Sequence, residues 1–428
     1  MTDILSDFRR RELVAQTTDE EALGNALANE SLTFYVGFDP TAPSLHMGNL
    51  VQILTARRLQ DAGHNPLALV GGATGLIGDP RLTSERTLNP RDVVEGWVER
   101  IRGQIERFLD FEGPHAARMV NNYDWTGEVN VLDFLREVGK HFSVNRMLAK
   151  EAVAARLKSD SGISFTEFSY QLLQGNDYLE LHKRYGASLQ TGGSDQWGNL
   201  TAGIDLIRRV TGDSVHAMST RLITKADGTK FGKTESGTVW LDPELTSPYA
   251  FSQFWLNAAD ADAPGYLKVF SLRPMDEIDA IIEEFKAAPH KRLVQKTLAQ
   301  DVTTLVHGPE QTAQAFAAAD ALFGGGDLGE LAPATVASAT ADLPTAQFDA
   351  AALAAGISVV DAFAASGIVK SKGDARKAIQ QGGAYINNTK VAEADAVLRA
   401  EDLLEAAGAG VAVLRRGKKT LGAVRVTR

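Results

Sequence analysis

Cysteine is absent from the 428 residues, which excludes disulfides, thiol catalysis and thiolate metal sites. Histidine is scarce, eight in all, and none falls in HExxH or a similar ligand spacing, so no metal centre, and in particular no structural zinc, is expected. No apolar run reaches the 18 or so residues of a membrane span, and the opening MTDILSDFRRREL puts acids and arginines where a secretory leader needs an apolar core. A cytoplasmic protein without a membrane segment is expected. Basic residues are missing over one long interval: between Asp301 and Val369 there is no Lys or Arg, while Ala, Gly, Pro and acids accumulate in FGGGDLGELAPATVASATADLP. Residues 324–356 are accordingly expected to form a linker that phosphates would avoid.

What is present is ordinary for a globular enzyme: 44% hydrophobic and 23% charged residues, with length for two or three domains. The net charge of −10 argues against nucleic acid, but it is unevenly spread. From Ile357 to Arg428 there are 12 Lys and Arg against 7 Asp and Glu, so a basic tail follows an acidic body.

The body reads as α/β. Two short helices are expected in the first 30 residues, the second opened by Thr18 with Glu21 in capping-box spacing. SLTFYVGF (31–38) is a strand, apolar residues recur at helical period after His46, and PLALV (66–70) is a buried strand. This βαβ unit implies a parallel sheet with ligands at the carboxyl ends of its strands. Helices are expected over 93–111 and 131–157, and the sheet resumes near Leu189. The expected domains are 1–247, a helical unit 248–323, the linker, and a small α+β module 357–428. In the module, two helices at 359–365 and 373–381 precede a hairpin turning at Asn387 and Asn388.

Three segments carry candidate chemistry. In GFDPTAPSLHMGN (37–49), Thr41, His46 and Asn49 surround a helix amino end, where free N–H groups and the helix dipole favour anions. TKADGTKFGKT (224–234) offers Lys225, Lys230 and Lys233 to a polyphosphate. Gly232-Lys233-Thr234 nearly completes a P-loop, but Asp227 stands where its first glycine belongs and no helix-forming sequence follows. GGATGLIGD (71–79) lacks dinucleotide-binding spacing, since Gly72, Gly75 and Gly78 are three apart; its glycines are expected to let the backbone approach a ligand. Arg81 and Arg86 follow in a polar loop.

These segments resemble those of the bacterial tyrosyl-tRNA synthetases, members of the class I aminoacyl-tRNA synthetases. HMGN (46–49) is similar to the HIGH signature and KFGKT (230–234) to KMSKS, while TEFSYQLLQGNDYL (166–179) and LQTGGSDQWGN (189–199) match that family's tyrosine and ribose sites. SKGDARKAIQQGGAYINN (371–388) resembles an S4-type RNA-binding domain. The resemblance implies a Rossmann-like catalytic domain, an α-helical domain and an S4-type tail. It further implies a homodimer that uses L-tyrosine, ATP with Mg²⁺, and tRNA(Tyr), without an editing domain.

Residue by residue, it implies that Thr41 and His46 contact the γ-phosphate and that Lys230, Lys233 and Arg86 close over the pyrophosphate. Asn49 would reach the ATP ribose and Asp195 the adenylate ribose, with Gly193 leaving room and Gly37 and Thr234 completing the ATP site. Tyr35 and Asp177 would hold a phenolic OH, and Asp79, Tyr170 and Gln174 an ammonium group, supported by Asp39, Asn122 and Gln190. Tyr170, Gln174 and Asp177 stand at i, i+4 and i+7, one face of a helix. Lys370, Lys372, Arg376 and Lys377 would meet RNA phosphates. The family's lysine after Asp79 is missing from PRLTS (80–84), with Arg81 a candidate substitute. The rival readings are a P-loop nucleotide hydrolase or kinase, an RNA-binding or RNA-modifying protein, and a synthetase for tryptophan.

Overall fold

Every backbone N–H of a central strand must find a partner, and the six-stranded sheet of the body satisfies them in a largely parallel ladder. A computed structural model describes residues 3–81, 86, 88–159, 162–229, 231–234, 237–323 and 326–427. It divides the chain into two compact units, Met1–Leu245 with Ala258–Leu298, and Thr246–Asn257 with Ala299–Arg428.

The first unit is built on strands β1 (Val14–Thr17), β2 (Thr33–Phe38), β3 (Asn65–Val70), β4 (Arg118–Asn121), β5 (Ala187–Gly193) and β6 (His216–Thr220), in the order β1-β6-β5-β2-β3-β4. All neighbours are parallel except the edge strand β1, which runs antiparallel to β6. Phe34, Tyr35, Val36 and Phe38 of β2 are all buried, as a strand covered on both faces requires. The chain winds outward from β2 through β3 to β4 on one side and from β5 to β6 on the other. The order therefore reverses between β2 and β5, where their carboxyl ends open a crevice. Three helices face it: α1 (Met47–Asp61), α2 (Phe165–Tyr185) and α3 (Trp197–Val210).

Several expectations shift. β1 was not anticipated, because four half-exposed residues carry no period and pair only through their backbone. The helix after it is capped by Asp19, which accepts from the Ala22 N–H, while Thr18 instead bonds Ala217 of β6. The stretch 131–157 is helical but broken into short pieces, including a π turn at Phe134–Val138 and a break at Phe142.

The helical stretch 248–323 is divided between the two units, because its helices find apolar partners elsewhere. Ala318, Ala321 and Leu322 share a core with Leu328, Val336, Val411 and Val413 of the tail. Helix Ala263–Phe270 belongs to the body, where Arg11 and Arg58 both donate to its terminal carbonyls. The described part of the expected linker, residues 326–356, is not a linker either. Strand Thr345–Asp349 pairs parallel with Thr420–Thr427 at the edge of the tail's sheet, and helices Pro333–Ala339 and Ala350–Ala355 flank it. The apolar, base-free composition there goes with packing: Val336 and Ala346 are buried.

The tail otherwise follows expectation, with helices Val359–Ala365 and Lys372–Gln380 and a hairpin whose Asn387 and Asn388 both adopt positive φ, the conformation a two-residue turn demands. Among the described residues no helix is long and apolar enough to cross a membrane.

Candidate active site

The crevice is a cavity of about 1260 Å³ walled by the ends of β2 and β5 and by α1, α2 and α3. Tyr170, Gln174 and Asp177 all line it from α2, as their spacing along one helix face requires. At its deep end lies Asp177, 2% exposed, whose Oδ1 accepts from Trp125 Nε1 (2.9 Å) and whose Oδ2 accepts from Asn122 Nδ2 (2.9 Å). Burial outweighs these two donors and pushes the carboxyl up to about 7. Tyr35, on β2, packs at 5.2 Å and a tilt of 59° against Tyr178 and is also buried, which holds its phenol well above the usual range.

The wall carries polar atoms the protein leaves unused. Tyr35 OH, Gln174 Oε1 and Gln190 Oε1 are buried and have no hydrogen-bond partner among the described residues. Buried polar groups are rarely orphaned, so three converging on one cavity mark the place of a ligand's own polar groups.

Asn122 does not line the cavity. Its side chain accepts from Ala73 N (2.7 Å) and donates to Thr74 Oγ1 (2.9 Å) and Asp177, so it positions the carboxylate. Asp39, expected in support, accepts from Thr74 Oγ1 (2.6 Å) and Tyr170 OH (2.6 Å), and burial raises its carboxyl above the usual range. The glycines of GGATGLIGD serve these protein groups, which corrects the expectation that they admit a ligand. A Cβ on Gly71 would sit 2.2 Å from both Asp39 Oδ1 and Thr74 Oγ1, and one on Gly78, at φ +80°, 2.3 Å from Arg86 Cδ.

At the mouth, His46 caps α1. Its Nδ1 accepts from Gly48 N (3.1 Å) and Asn49 N (3.4 Å), while Asn49 Oδ1 accepts from His46 N (3.1 Å), a reciprocal cap. With Nδ1 an acceptor, the ring proton resides on Nε2. Partial desolvation in the cleft, and then Lys233, lower the pKa and keep the ring neutral. Asn49 in place of the second HIGH histidine therefore has a structural duty, closing the cap.

The two signature segments meet here. His46 bridges Trp240, the Leu241 N–H donates to Leu45 O (2.9 Å), and Gly232, at φ +79°, lies against Met47 so closely that a Cβ would be 3.0 Å from Met47 Cβ. Phe231 anchors the loop on Tyr266 and Phe270. Lys233 and Thr234 pair with Gly237 and Thr238 in a hairpin, the opposite of the helix a P-loop needs. Lys230 lies outside the described residues. Gly37, Thr41, Arg81, Arg86, Gly193 and Asp195 all line the cavity. Gly193 makes room for a neighbour, since a Cβ would stand 2.5 Å from Asp195 Oδ1; desolvation raises that carboxyl.

Asp79 is engaged more heavily than its sequence context suggests. It accepts from Lys150 Nζ (3.1 Å), Gln196 Nε2 (3.0 Å) and Asn199 Nδ2 (3.3 Å). Sequence reasoning passed over Lys150, Trp125, Thr74 and the buried pair Arg156 and Glu167 (0% and 2% exposed, 3.1 Å apart). That pair holds the backbone at Arg81 and at Arg86: Arg156 donates to Arg81 O (3.3 Å) and Glu167 accepts from Arg86 N (3.0 Å). Glu167→Gln would remove the buried carboxylate paired with Arg156, worth about 3–5 kcal/mol. The melting midpoint should fall by roughly 10 °C, as read by calorimetry.

Comparison with known proteins places this geometry. Residues 27–324 match the family model described as tRNA synthetases class I (W and Y), and residues 335–423 match a tyrosine–tRNA ligase SYY-like C-terminal domain. The chain belongs to the class I tRNA synthetases. This synthetase is 60% identical over 428 residues to a tyrosine–tRNA ligase of Streptomyces avermitilis, each chain fully covered, and 50% identical to that of Thermobifida fusca, with 99% of each covered. Among solved structures it resembles a C-terminally truncated mitochondrial tyrosyl-tRNA synthetase of Coccidioides posadasii (TM-score 0.65, 29% identity, 74% of this chain and 91% of that one). A tryptophanyl-tRNA synthetase of Encephalitozoon cuniculi shares its fold (TM-score 0.53, 13% identity, 72% of this chain and 86% of that one). The family match at 335–423 begins inside the stretch expected as linker, in keeping with the strand that stretch adds to the tail's sheet.

In the synthetase's tail, Lys370, Lys372, Arg376 and Lys377 are exposed on and before helix Lys372–Gln380, whose Ala375, Ala378 and Ile379 face the core. Lys372 also pairs with Asp361 at 2.8 Å.

Proposed function

We infer that this chain is a tyrosine–tRNA ligase: it joins L-tyrosine to ATP, releasing pyrophosphate, and passes the tyrosyl group to the terminal adenosine of tRNA(Tyr). The observation that carries this is the deep end of the cavity, where the Asp177 carboxyl and the unpartnered Tyr35 hydroxyl both line the wall. A phenolic OH can donate to the Asp177 carboxyl and accept from Tyr35 at once, whereas an indole N–H can only donate, which disfavours tryptophan.

The chemistry asks for little from the protein beyond position and charge. A carboxylate oxygen of tyrosine attacks the α-phosphorus of ATP; the new O–P bond forms as the bond to the bridging oxygen breaks, and its electron pair leaves with pyrophosphate. Tyrosine supplies the nucleophile itself, so no Ser, Cys or His nucleophile is needed. Asp79, Tyr170 and Gln174 hold the substrate's ammonium, with Asp39, Asn122 and Gln190 behind them. Thr41, the Nε2–H of His46, Arg86, Lys230 and Lys233 meet charge that builds on the phosphates. Asn49, Gly37, Gly193, Asp195 and Thr234 form the nucleotide site. Mg²⁺ travels on the ATP phosphates as part of that substrate. Lys370, Lys372, Arg376 and Lys377 contact tRNA phosphates, and the cytoplasm is where that substrate resides.

The deciding experiment is pyrophosphate exchange with each of the twenty amino acids, Mg²⁺ and no tRNA. Exchange with tyrosine alone is expected; exchange with tryptophan instead would keep the fold and remove the pocket assignment.

A homodimer is part of this reading. Val131, Leu132 and Leu135, with Val144 close by in sequence, are exposed, Leu132 at 72%, an expanse of apolar surface that a second copy would cover. Leu132→Glu should shift the sedimentation coefficient to that of a monomer.

A further inference from the structure

Asp79 carries more positive partnership than a substrate-ammonium site can keep. Three donors already converge on its carboxylate, and one is the full charge of Lys150. Both side chains are mostly buried, at 11% and 17% exposure. Lys150 also donates to Asn199 Oδ1 (2.8 Å), its aliphatic stem lies along Gly198 at 3.7 Å from where a Cβ would be, and it lines the same cavity as Tyr170 and Gln174. A tyrosine ammonium arriving at Asp79 would meet a second ammonium within a few ångströms, and like charges so close in a desolvated site repel strongly. A lysine on a flexible four-carbon stem can swing away, and the substrate's ammonium then replaces it as the cation on Asp79. The substrate brings, beside its ammonium, the carboxylate that reacts.

We propose that Lys150 is a cation of the adenylation centre, parked on Asp79 and Asn199 in the empty enzyme and transferred to the substrate's carboxylate and the α-phosphate once the substrate's ammonium takes Asp79. This rests on the reading of Asp79 as the ammonium site. Lys150 exchanges no proton and forms no covalent bond; it balances charge on the oxygens between which the O–P bond forms.

The test is Lys150→Met and, to guard against misfolding, Lys150→Gln, each compared with Lys150→Arg. Pyrophosphate exchange is followed at saturating tyrosine and ATP, and tyrosine binding by equilibrium dialysis. Removing the parked charge should leave tyrosine affinity unchanged or up to about threefold tighter while kcat for exchange falls about 10²-fold. Arginine should recover at least a tenth of the rate. Tenfold weaker tyrosine binding at unchanged kcat would overturn the proposal and make Lys150 a prop for Asp79. Unchanged exchange with lost transfer to tRNA would also overturn it, assigning Lys150 to RNA. If the unaltered protein shows no tyrosine-dependent exchange at all, the underlying reading fails first and this inference with it.

Discussion

Asp177→Ala should lower kcat/KM for tyrosine in pyrophosphate exchange about 10³-fold while changing that for phenylalanine less than tenfold. The pair Tyr35 and Asp177 meets a phenolic OH with a charge-assisted acceptor, and phenylalanine leaves Tyr35 without a partner and takes from Asp177 a third donor. Discrimination of about 10⁵ against phenylalanine is known of tyrosyl enzymes as a group. The variant also strands Trp125 Nε1 and Asn122 Nδ2, which both donate to this carboxylate, so some stability is lost. Comparing the two amino acids on the same protein cancels that loss. An unchanged preference for tyrosine would remove the basis for the pocket.

The pH dependence of the unaltered enzyme is an independent check. Burial lifts Asp177 to about 7, and the carboxylate form is much the stronger acceptor of the phenol's O–H. Preference for tyrosine over phenylalanine should therefore decline as pH falls below about 7. Stability moves the other way. The folded state holds this proton more tightly than the unfolded chain, so the group's contribution is fully present below the ordinary carboxylate range and is lost as pH rises through about 7. Tyrosine binding, drawing on the ionised form, should release a proton in mildly acid buffer, which calorimetry in buffers of different ionisation heat measures.

His46→Ala should reduce kcat for exchange by about 10²–10³-fold, the usual effect of losing one donor to developing charge. It should also lower the melting midpoint by a few degrees, because Nδ1 caps α1 and an N-cap is worth about 1 kcal/mol. His46→Asn separates the two roles. An amide oxygen can take over the N–H groups of Gly48 and Asn49, restoring the melt, but nothing then projects an N–H from the Nε2 position, so the rate stays low. Recovery of both would show that His46 acts through the helix alone.

Much of this site was legible because its grammar is local. Helical spacing places Tyr170, Gln174 and Asp177 on one face, and strand, turn and helix order places His46 at a helix amino end; both depend on periods of a few residues. The parallel sheet followed from crossover length. What could not be read depends on partners brought together from far along the chain. Lys150 reaches Asp79 across 71 positions, Trp125 reaches Asp177 across 52, and Arg156 contacts the Arg81 carbonyl across 75. No residue period connects these pairs. The same holds for GGATGLIGD, whose glycines look like a ligand loop until Asp39, Thr74 and Arg86 are seen filling the space a Cβ would take. The residues from 324 to 356 show the limit in a different way: composition there is that of a linker, and only pairing with Thr420–Thr427 makes it a strand, because a β-strand's partner lies outside its own sequence.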